Sequence, residues 1–421
     1  MAIKGSGSPM ETVDEYFDML IKSRFIEMFE DQNYQLIRLG DILKQNTTVT
    51  KVDCPDKETF VTLSSKGRGA KKREIKDGKT PVAFSGYRIH AGQFIYSRID
   101  ARNAAFDIVP ECLEGAVVSK DFPVFDFDTN AIEPVYLLHS VLQNSFIEQI
   151  QSSSFGATNR QRIKEETMMN YSIVLPPLSK QREYSQFVQL TIIIKKHYQQ
   201  LMDSFDILVK SRFIEMFGSL KTNEKGWDVK TISDVCSSIV RGPFGSSLRK
   251  DMFVPESDTS VKVYEQKHAI QKEYNIGSYY VTKEKYEELK RFECGPGDFI
   301  MSCSGTMGEL YQLPDTAPNG IINQALCKFT LNDLIHPCFF KEYMSEMVSE
   351  LDSKGSAIKN IAAVKFVKNM LVPLPSIDLQ NRFADFVKQV DKSKFVETVE
   401  PDHPAVFQNI HGFPSFGLIS T

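Results

Sequence analysis

Leu20-Ile21-Lys22-Ser23-Arg24-Phe25-Ile26-Glu27-Met28-Phe29 recurs 188 residues later as Leu208-Val209-Lys210-Ser211-Arg212-Phe213-Ile214-Glu215-Met216-Phe217, identical at nine of ten positions. A second pair follows at an offset of 199: Leu175-Pro176-Pro177-Leu178-Ser179-Lys180-Gln181 against Leu374-Pro375-Ser376-Ile377-Asp378-Leu379-Gln380. Between them lie looser matches, such as Gly92-Gln93-Phe94-Ile95-Tyr96-Ser97 with Gly297-Asp298-Phe299-Ile300-Met301-Ser302. A period of this length is far too long for a solenoid unit and suits one domain plus a connecting element. The chain is therefore a duplication in which short helical segments stayed nearly identical while the segments between them diverged. Plain tandem duplication is the bland reading, but it leaves that contrast unexplained.

The repeated segments read as parts of one long helix. No proline occurs from Leu178 to Gly242. Ser179 and its counterpart Asp378 are good N-cap types, and Gly218 suits a C-terminal stop. Phe187, Ile194, Leu201 and Leu208 recur every seven residues, with Leu190, Tyr198 and Phe205 between them, a coiled-coil-like stripe. A helix over 179–217 would run about 58 Å. So long an amphipathic helix needs a partner. Residues 11–29 repeat its second half, with Val13, Phe17 and Leu20 on one face. Residues 377–395 repeat its first half, with Phe383, Val387 and Val390 on one face. The expected architecture is α+β: two similar α/β domains, 30–178 and 218–376, separated by two long antiparallel helices in a pseudo-twofold cyclic arrangement. Residues 1–10 read as a linker or tag-like segment, and 396–421, which hold no Lys or Arg, as an acidic tail. Core helices of a larger fold are the alternative.

This organisation resembles the specificity (S) subunit of type I restriction-modification systems. The resemblance rests on the two Leu-Pro-(Pro/Ser)-(Leu/Ile)-x-x-Gln segments, the two Lys-Ser-Arg-Phe-Ile-Glu-Met-Phe segments and the variable domains between them, and it covers roughly residues 11–395. It implies two target-recognition domains that each read half of a split duplex DNA sequence. It also implies conserved helices that dock methyltransferase (M) subunits, two by the family pattern, with restriction/translocase (R) subunits joining the full complex. S-adenosylmethionine, ATP and Mg²⁺ would belong to those partners, with no cofactor in this chain and a cytoplasmic location. The docking candidates are Arg24, Phe25, Phe29, Phe187, Ile194, Leu201, Arg212, Phe213 and Phe217.

The formal charge of −4 over 421 residues excludes a uniformly basic coat, but charge is segregated. Residues 61–105 carry a net +7 and residues 106–150 a net −7. Glycines allow close backbone approach, and Arg and Asn read base edges. The DNA candidates in the basic segment are Arg68, Lys71, Lys72, Arg73, Tyr87, Arg88, Arg98, Arg102 and Asn103; a solvated charged loop is the alternative. A Ser/Gly/basic loop with Ser154, Thr158, Asn159 and Arg160 aligns with Lys354, Ser356 and Lys359, and suits phosphate or a simple turn. In the second domain the candidates are Arg241, Phe244, Ser246, Ser247, Arg249 and Lys250, with Ser302 at the end of a matched segment.

Enzyme signals fail. No Asn/Asp-Pro-Pro-aromatic motif is present. Gly78-Lys79-Thr80 lacks the earlier P-loop glycine, which is Arg73 here. Glu288-Leu289-Lys290 is a common chance pattern, and Cys303-Ser304-Gly305 has no local His. The seven cysteines include no C-x-x-C pair and read as reduced thiols. No run of apolar residues is long enough to span a bilayer. The competing class is a stand-alone nuclease or methyltransferase of unrecognised type.

Overall fold

A central helix runs unbroken from Leu178 to Phe217. It belongs to neither domain as a whole, because the chain divides within it: one unit holds Tyr16–Lys196, the other His197–Thr421 with Met1–Glu15. The computed structural model describes residues 9–30, 33–75, 82–152, 162–353 and 364–399. The terminal helices extend over Pro9–Phe29 and Ile377–Val399. The central and C-terminal helices start at Leu178 and Ile377, so Ser179 and Asp378 lie inside the first turn and not at the N-cap. The C-terminal stop is as expected: Gly218 takes φ +72°, a left-handed backbone that favours glycine. Exposed carbonyls of the last turn accept from Trp227 Nε1 at Phe217 (2.9 Å) and from Lys225 Nζ at Glu215 (2.7 Å).

In the unit of residues 16–196, Gln35–Arg38 pairs antiparallel with Ser172–Leu175. A four-stranded sheet follows in the order Leu43–Asn46, Val124–Phe127, Phe94–Tyr96, Phe106–Ile108. A three-stranded sheet (Thr50–Val52, Phe84–Arg88, Val117–Ser119) and a hairpin (Val61–Leu63, Ala70–Lys72) complete it. The core is aromatic. Phe25 and Phe29 of the N-terminal helix meet Tyr136 and Tyr184, with centroids 4.9–5.8 Å apart.

The other unit repeats this plan. Asp228–Thr231 pairs with Leu371–Leu374. Its four-stranded sheet runs Cys236–Arg241, Leu326–Leu331, Phe299–Ser302, Leu310–Gln312, so both sheets place their sequence-order strands as 1-4-2-3. Gly92 and Gly297, the first residues of the loose match, take φ +83° and +84° just before the second strand of each sheet. Phe213 and Phe217 meet Phe339 and Phe383 as Phe25 and Phe29 meet Tyr136 and Tyr184. A second four-stranded sheet (Tyr280–Thr282, Ser260–Tyr264, Gly320–Ile322, Glu293–Cys294) has no counterpart of the same order among the described residues of the other unit.

Within each unit the helices pair antiparallel. Lys195 reaches Asp18 (3.8 Å) and Arg24 reaches Glu183 (3.5 Å), so rising numbers on one helix meet falling numbers on the other. Lys394 likewise reaches Asp206 (2.6 Å) while Phe383 meets Phe213. The seven-residue period holds and Tyr198, Leu201 and Phe205 are half-buried as expected, but at Phe187, Leu190, Ile194 and Leu208 the more buried position is the next residue. Gln181, Tyr184, Val188, Thr191, Val209 and Phe213 are buried, whereas Ile194 is 47% and Leu208 46% exposed. One residue on a helix is a rotation of about 100°, and the polar groups it turns inward are satisfied. Thr191 Oγ1 donates to the Phe187 carbonyl (2.8 Å), and Ser185 donates to Glu133.

The Leu-Pro-x-x-x-x-Gln repeat has a structural cause. Gln181 Oε1 accepts from the Glu133 backbone N–H (2.9 Å) and its Nε2 donates to the Pro176 carbonyl (2.8 Å). Gln380 does the same with His336 (2.8 Å) and Pro375 (2.8 Å). Each glutamine ties the start of one helix to the start of another.

Candidate nucleic-acid interface

The basic segment of the first unit folds into a hairpin whose two sides differ. Val61, Leu63 and Ala70 are buried, while Lys66, Arg68, Lys71, Lys72 and Arg73 are exposed. Alternation accounts for Thr62 and Lys71, which pair on the solvent face; Lys66 and Arg68 are exposed in the turn, and Lys72 and Arg73 at the open end of the hairpin. The tip is pinned: Lys66 N–H donates to Asn103 O (2.6 Å) and Gly67 N–H to Ala104 O (2.9 Å). Gly69 takes φ +72°, and a Cβ there would lie 2.7 Å from Asp107 Oδ2, which accepts from Ala70 N–H (2.6 Å). The tip therefore sets Lys66 beside exposed Asn103, and Arg68, Lys71, Lys72 and Arg73 are exposed along the same hairpin. This surface is cationic, backbone-ordered and glycine-rich, as phosphate binding requires.

Other candidates in this segment serve the fold. Tyr87 is buried in the core beside Val61 and Ile95. Arg88 makes two bonds to Glu58 (2.8 and 3.1 Å) and one to Gly115 O (2.6 Å). The Arg88 hydrogen bond holds the Glu58 carboxyl below its ordinary range. Arg98 pairs with Glu165. Those charges are already matched inside the unit, which corrects the expectation that they face DNA. Arg102 is half-buried. Ser154, Thr158, Asn159, Arg160, Lys354, Ser356 and Lys359 lie outside the described residues, as does Gly78-Lys79-Thr80.

In the second unit, Arg241–Lys250 leaves the first strand of the sheet as a loop fixed at both ends. A Cβ on Gly242 would stand 1.8 Å from Asn323 O, so the backbones touch there. Pro243 and Leu248 are buried, and Ser247 N–H closes a turn onto Phe244 O (2.8 Å). Between these anchors Phe244 is 88% exposed. Ser246, Arg249 and Lys250 are exposed around it, and Arg249 lies 3.4 Å from Asp251. Arg241 Nη2 donates to Gln324 O (3.3 Å). The Asn323–Ala325 turn also receives Cys303 N–H at Ala325 O (2.7 Å), which joins the 302–309 loop to the same face. Ser302 is fully buried and organises that loop through Thr306 O (2.6 Å) and Glu309 N–H (3.0 Å), so it does not face a ligand. Exposed Gln324 and the amide of Gln266, which donates to Thr306 O (3.2 Å), also belong to this face. Sequence reading missed them because they come from segments far apart in the chain.

The helix candidates separate in the same way. Phe25, Phe29, Phe213 and Phe217 are core residues, which corrects their assignment to docking. Arg24 lies over Phe187 and Arg212 over Phe386. Leu201 is half-buried, and Ile194 is exposed together with Leu190, Ile192 and Ile193. Ile26 (43%) and Ile214 (58%), the same position in the two repeats, are both exposed.

Among the described residues no group of His, Cys, Asp and Glu is placed to hold a metal ion. Cys303 is buried. Lys290 of the Glu-x-Lys pattern binds Tyr286 Oη (2.7 Å), and Glu288 binds Lys285 (2.7 Å). Among the described residues no helix is long and apolar enough to cross a membrane.

Residues 224–400 match the type I restriction modification DNA specificity domain. A solved structure described as "Structural basis underlying complex assembly and conformational transition of the type I R-M system" is similar at TM-score 0.54 and 19% identity, over 87% of this chain and 92% of that one. The HsdS subunit of Thermoanaerobacter tengcongensis is similar at TM-score 0.39 and 17% identity, over 90% and 94%. The type I restriction-modification S subunit of M. genitalium gives TM-score 0.42 and 12% identity, over 92% and 98%. A comparison with curated protein sequences returns no significant match. The first likeness shows the fold, and the match over residues 224–400 is to a DNA specificity domain of the type I class.

Proposed function

We propose, on the premise that this chain is a DNA sequence-specificity subunit of the type I restriction-modification class, that each of its two units reads one half of an asymmetric bipartite duplex site. One observation carries the reading. The specificity domain at residues 224–400 is matched by a unit of the same 1-4-2-3 sheet order at residues 16–196, yet the two present different surfaces. One offers the Lys66–Arg73 hairpin, the other the Arg241–Lys250 loop. Equal frames with unequal faces suit two unlike half-sites, with a gap set by the helices, much as spacing is set in dimeric readers.

The chain binds DNA and assembles with other subunits of its system. In this proposal it performs no chemistry itself. Two methyltransferase subunits bind it, and restriction/translocase subunits complete the complex. Those partners carry S-adenosylmethionine, ATP and Mg²⁺ in the cytoplasm. Exposed apolar helix residues, among them Ile26, Ile214 and Ile194, support docking there, since one partner must serve any specificity.

The test is genome-wide mapping of methylated adenine with and without the gene. The expected result is one bipartite motif that disappears with it. Exchange of residues 30–178 for those of another specificity subunit should change one half of the motif alone. A purified chain that methylates or cuts DNA without partners would overturn the non-catalytic reading, and a methylation pattern indifferent to the gene would overturn the whole.

A further inference from the structure

An exposed phenylalanine on a pinned loop needs an explanation. Among the residues whose exposure is described Phe244 is the one phenylalanine more than about a third exposed, although the chain has 30. Its surroundings are ordered. Gly242 is pressed against Asn323 O, Pro243 and Leu248 are buried, and the Ser247 N–H to Phe244 O bond closes the turn. The ring thus projects from a fixed base, with Arg249 and Lys250 exposed a few residues on. A full phenyl ring held in water forgoes the stabilisation that burial would give it. A preorganised apolar tip with exposed cationic side chains on the same loop matches the chemistry of stacked bases inside a phosphate frame.

We infer that Phe244 is a wedge that enters the duplex between two base pairs of the half-site read by the second unit and unstacks that step. Apolar side chains used this way kink DNA and give specificity through the deformability of the step they open. Among its described residues the first unit shows no such device: its corresponding loop, after Leu43–Asn46, presents Val49. The two half-sites would then differ in deformation as well as in bases read, with a flexible pyrimidine–purine step favoured in the second. The inference rests on the DNA-specificity reading above.

The test uses the full chain, without methyltransferase so that no partner extrudes a base, on duplexes carrying its methylation motif. 2-Aminopurine or pyrrolo-deoxycytidine replaces each base of the second half-site in turn. Wild-type protein should raise the fluorescence several-fold at one step. Phe244→Ala should abolish that rise and Phe244→Leu should keep part of it, with the salt dependence of binding unchanged in both. Specific binding with no rise at any position, or an equal rise with Phe244→Ala, overturns the wedge and leaves the DNA reading standing. Absence of any duplex binding overturns that reading too. The Phe244 ring stands outside the core, so equal melting temperatures of wild type and variants should exclude misfolding.

Discussion

The guanidinium of Arg24 lies 5.6 Å from the ring centroid of Phe187, and the pair recurs in the other unit as Arg212 over Phe386 at 5.7 Å. Each arginine comes from one repeated segment and each phenylalanine from the other. The two sequence repeats are therefore each other's packing partners. Arg24 also holds Glu27 (2.8 Å) and Glu183 (3.5 Å), and Arg212 holds Glu215 (2.8 Å). Cation–π contacts contribute about 0.5–2 kcal/mol, more when desolvated. Arg24→Ala should destabilise the protein by roughly that amount, and Phe187→Leu should cost less in an Arg24→Ala background than in the wild type. Urea unfolding of the four proteins in this cycle measures the coupling; strict additivity would show that the ring and the guanidinium do not interact.

The buried glutamines Gln181 and Gln380 predict a larger loss. Gln181→Leu keeps the size but leaves the Glu133 N–H and the Pro176 carbonyl without their partner. A buried polar group left unmatched costs about 1–3 kcal/mol. Unfolding of Gln181→Leu and Gln380→Leu should show similar losses, since the geometry is the same in both units. A neutral effect at either site would mean that water replaces the clamp.

The duplication, the antiparallel helix pairs and the glycine stop at Gly218 were legible because each leaves a local trace: identity, heptad spacing, a residue that tolerates positive φ. The face of the central helix was not. Its buried side includes Gln181, Ser185 and Thr191, which hydropathy assigns to water, while Ile192, Ile193 and Ile194 stay exposed. Hydrogen bonds to Glu133, Pro176 and Phe187 satisfy these polar groups, and one of those partners, Glu133, caps another helix. The site shows the same divide. The run Arg68–Arg73 reads as a basic surface and is one. Arg88 and Arg98 share its composition, but Glu58 and Glu165, distant in sequence, take up their charge. Composition sees a charge and only the fold shows whether it is already matched.

That division makes the basic residues separable by experiment. Replacement of Arg68, Lys71, Lys72 and Arg73 by Ala should weaken binding to all duplexes. It should also reduce the slope of log K against log salt by about 0.9 for each phosphate that the protein no longer neutralises. Melting temperature should hardly change, because these side chains are exposed. Arg88→Ala should do the reverse, lowering stability through the loss of its Glu58 and Gly115 bonds while leaving the salt slope alone. An unchanged slope in the fourfold variant would remove the hairpin from the interface.

His139 predicts how stability depends on pH. Its ring packs edge-on against Tyr184 at 5.5 Å, and burial pushes the imidazole down to about 4. The unfolded chain takes up the proton near pH 6.5, whereas the folded chain holds the ring neutral down to about 4. Between those values the unfolded state binds more protons, so the contribution is complete above pH 6.5 and falls as the solution is acidified. At about 1.4 kcal/mol per pH unit, the loss between pH 7 and pH 5 is about 2 kcal/mol. His139→Phe retains an aromatic ring beside Tyr184 without the titrating group. Its stability, measured by urea unfolding at pH 7, 6 and 5, should decline less steeply than that of the wild type by this amount. Parallel curves would mean that His139 is protonated in the folded state as readily as in the unfolded one, and that the packing around Tyr184 admits water.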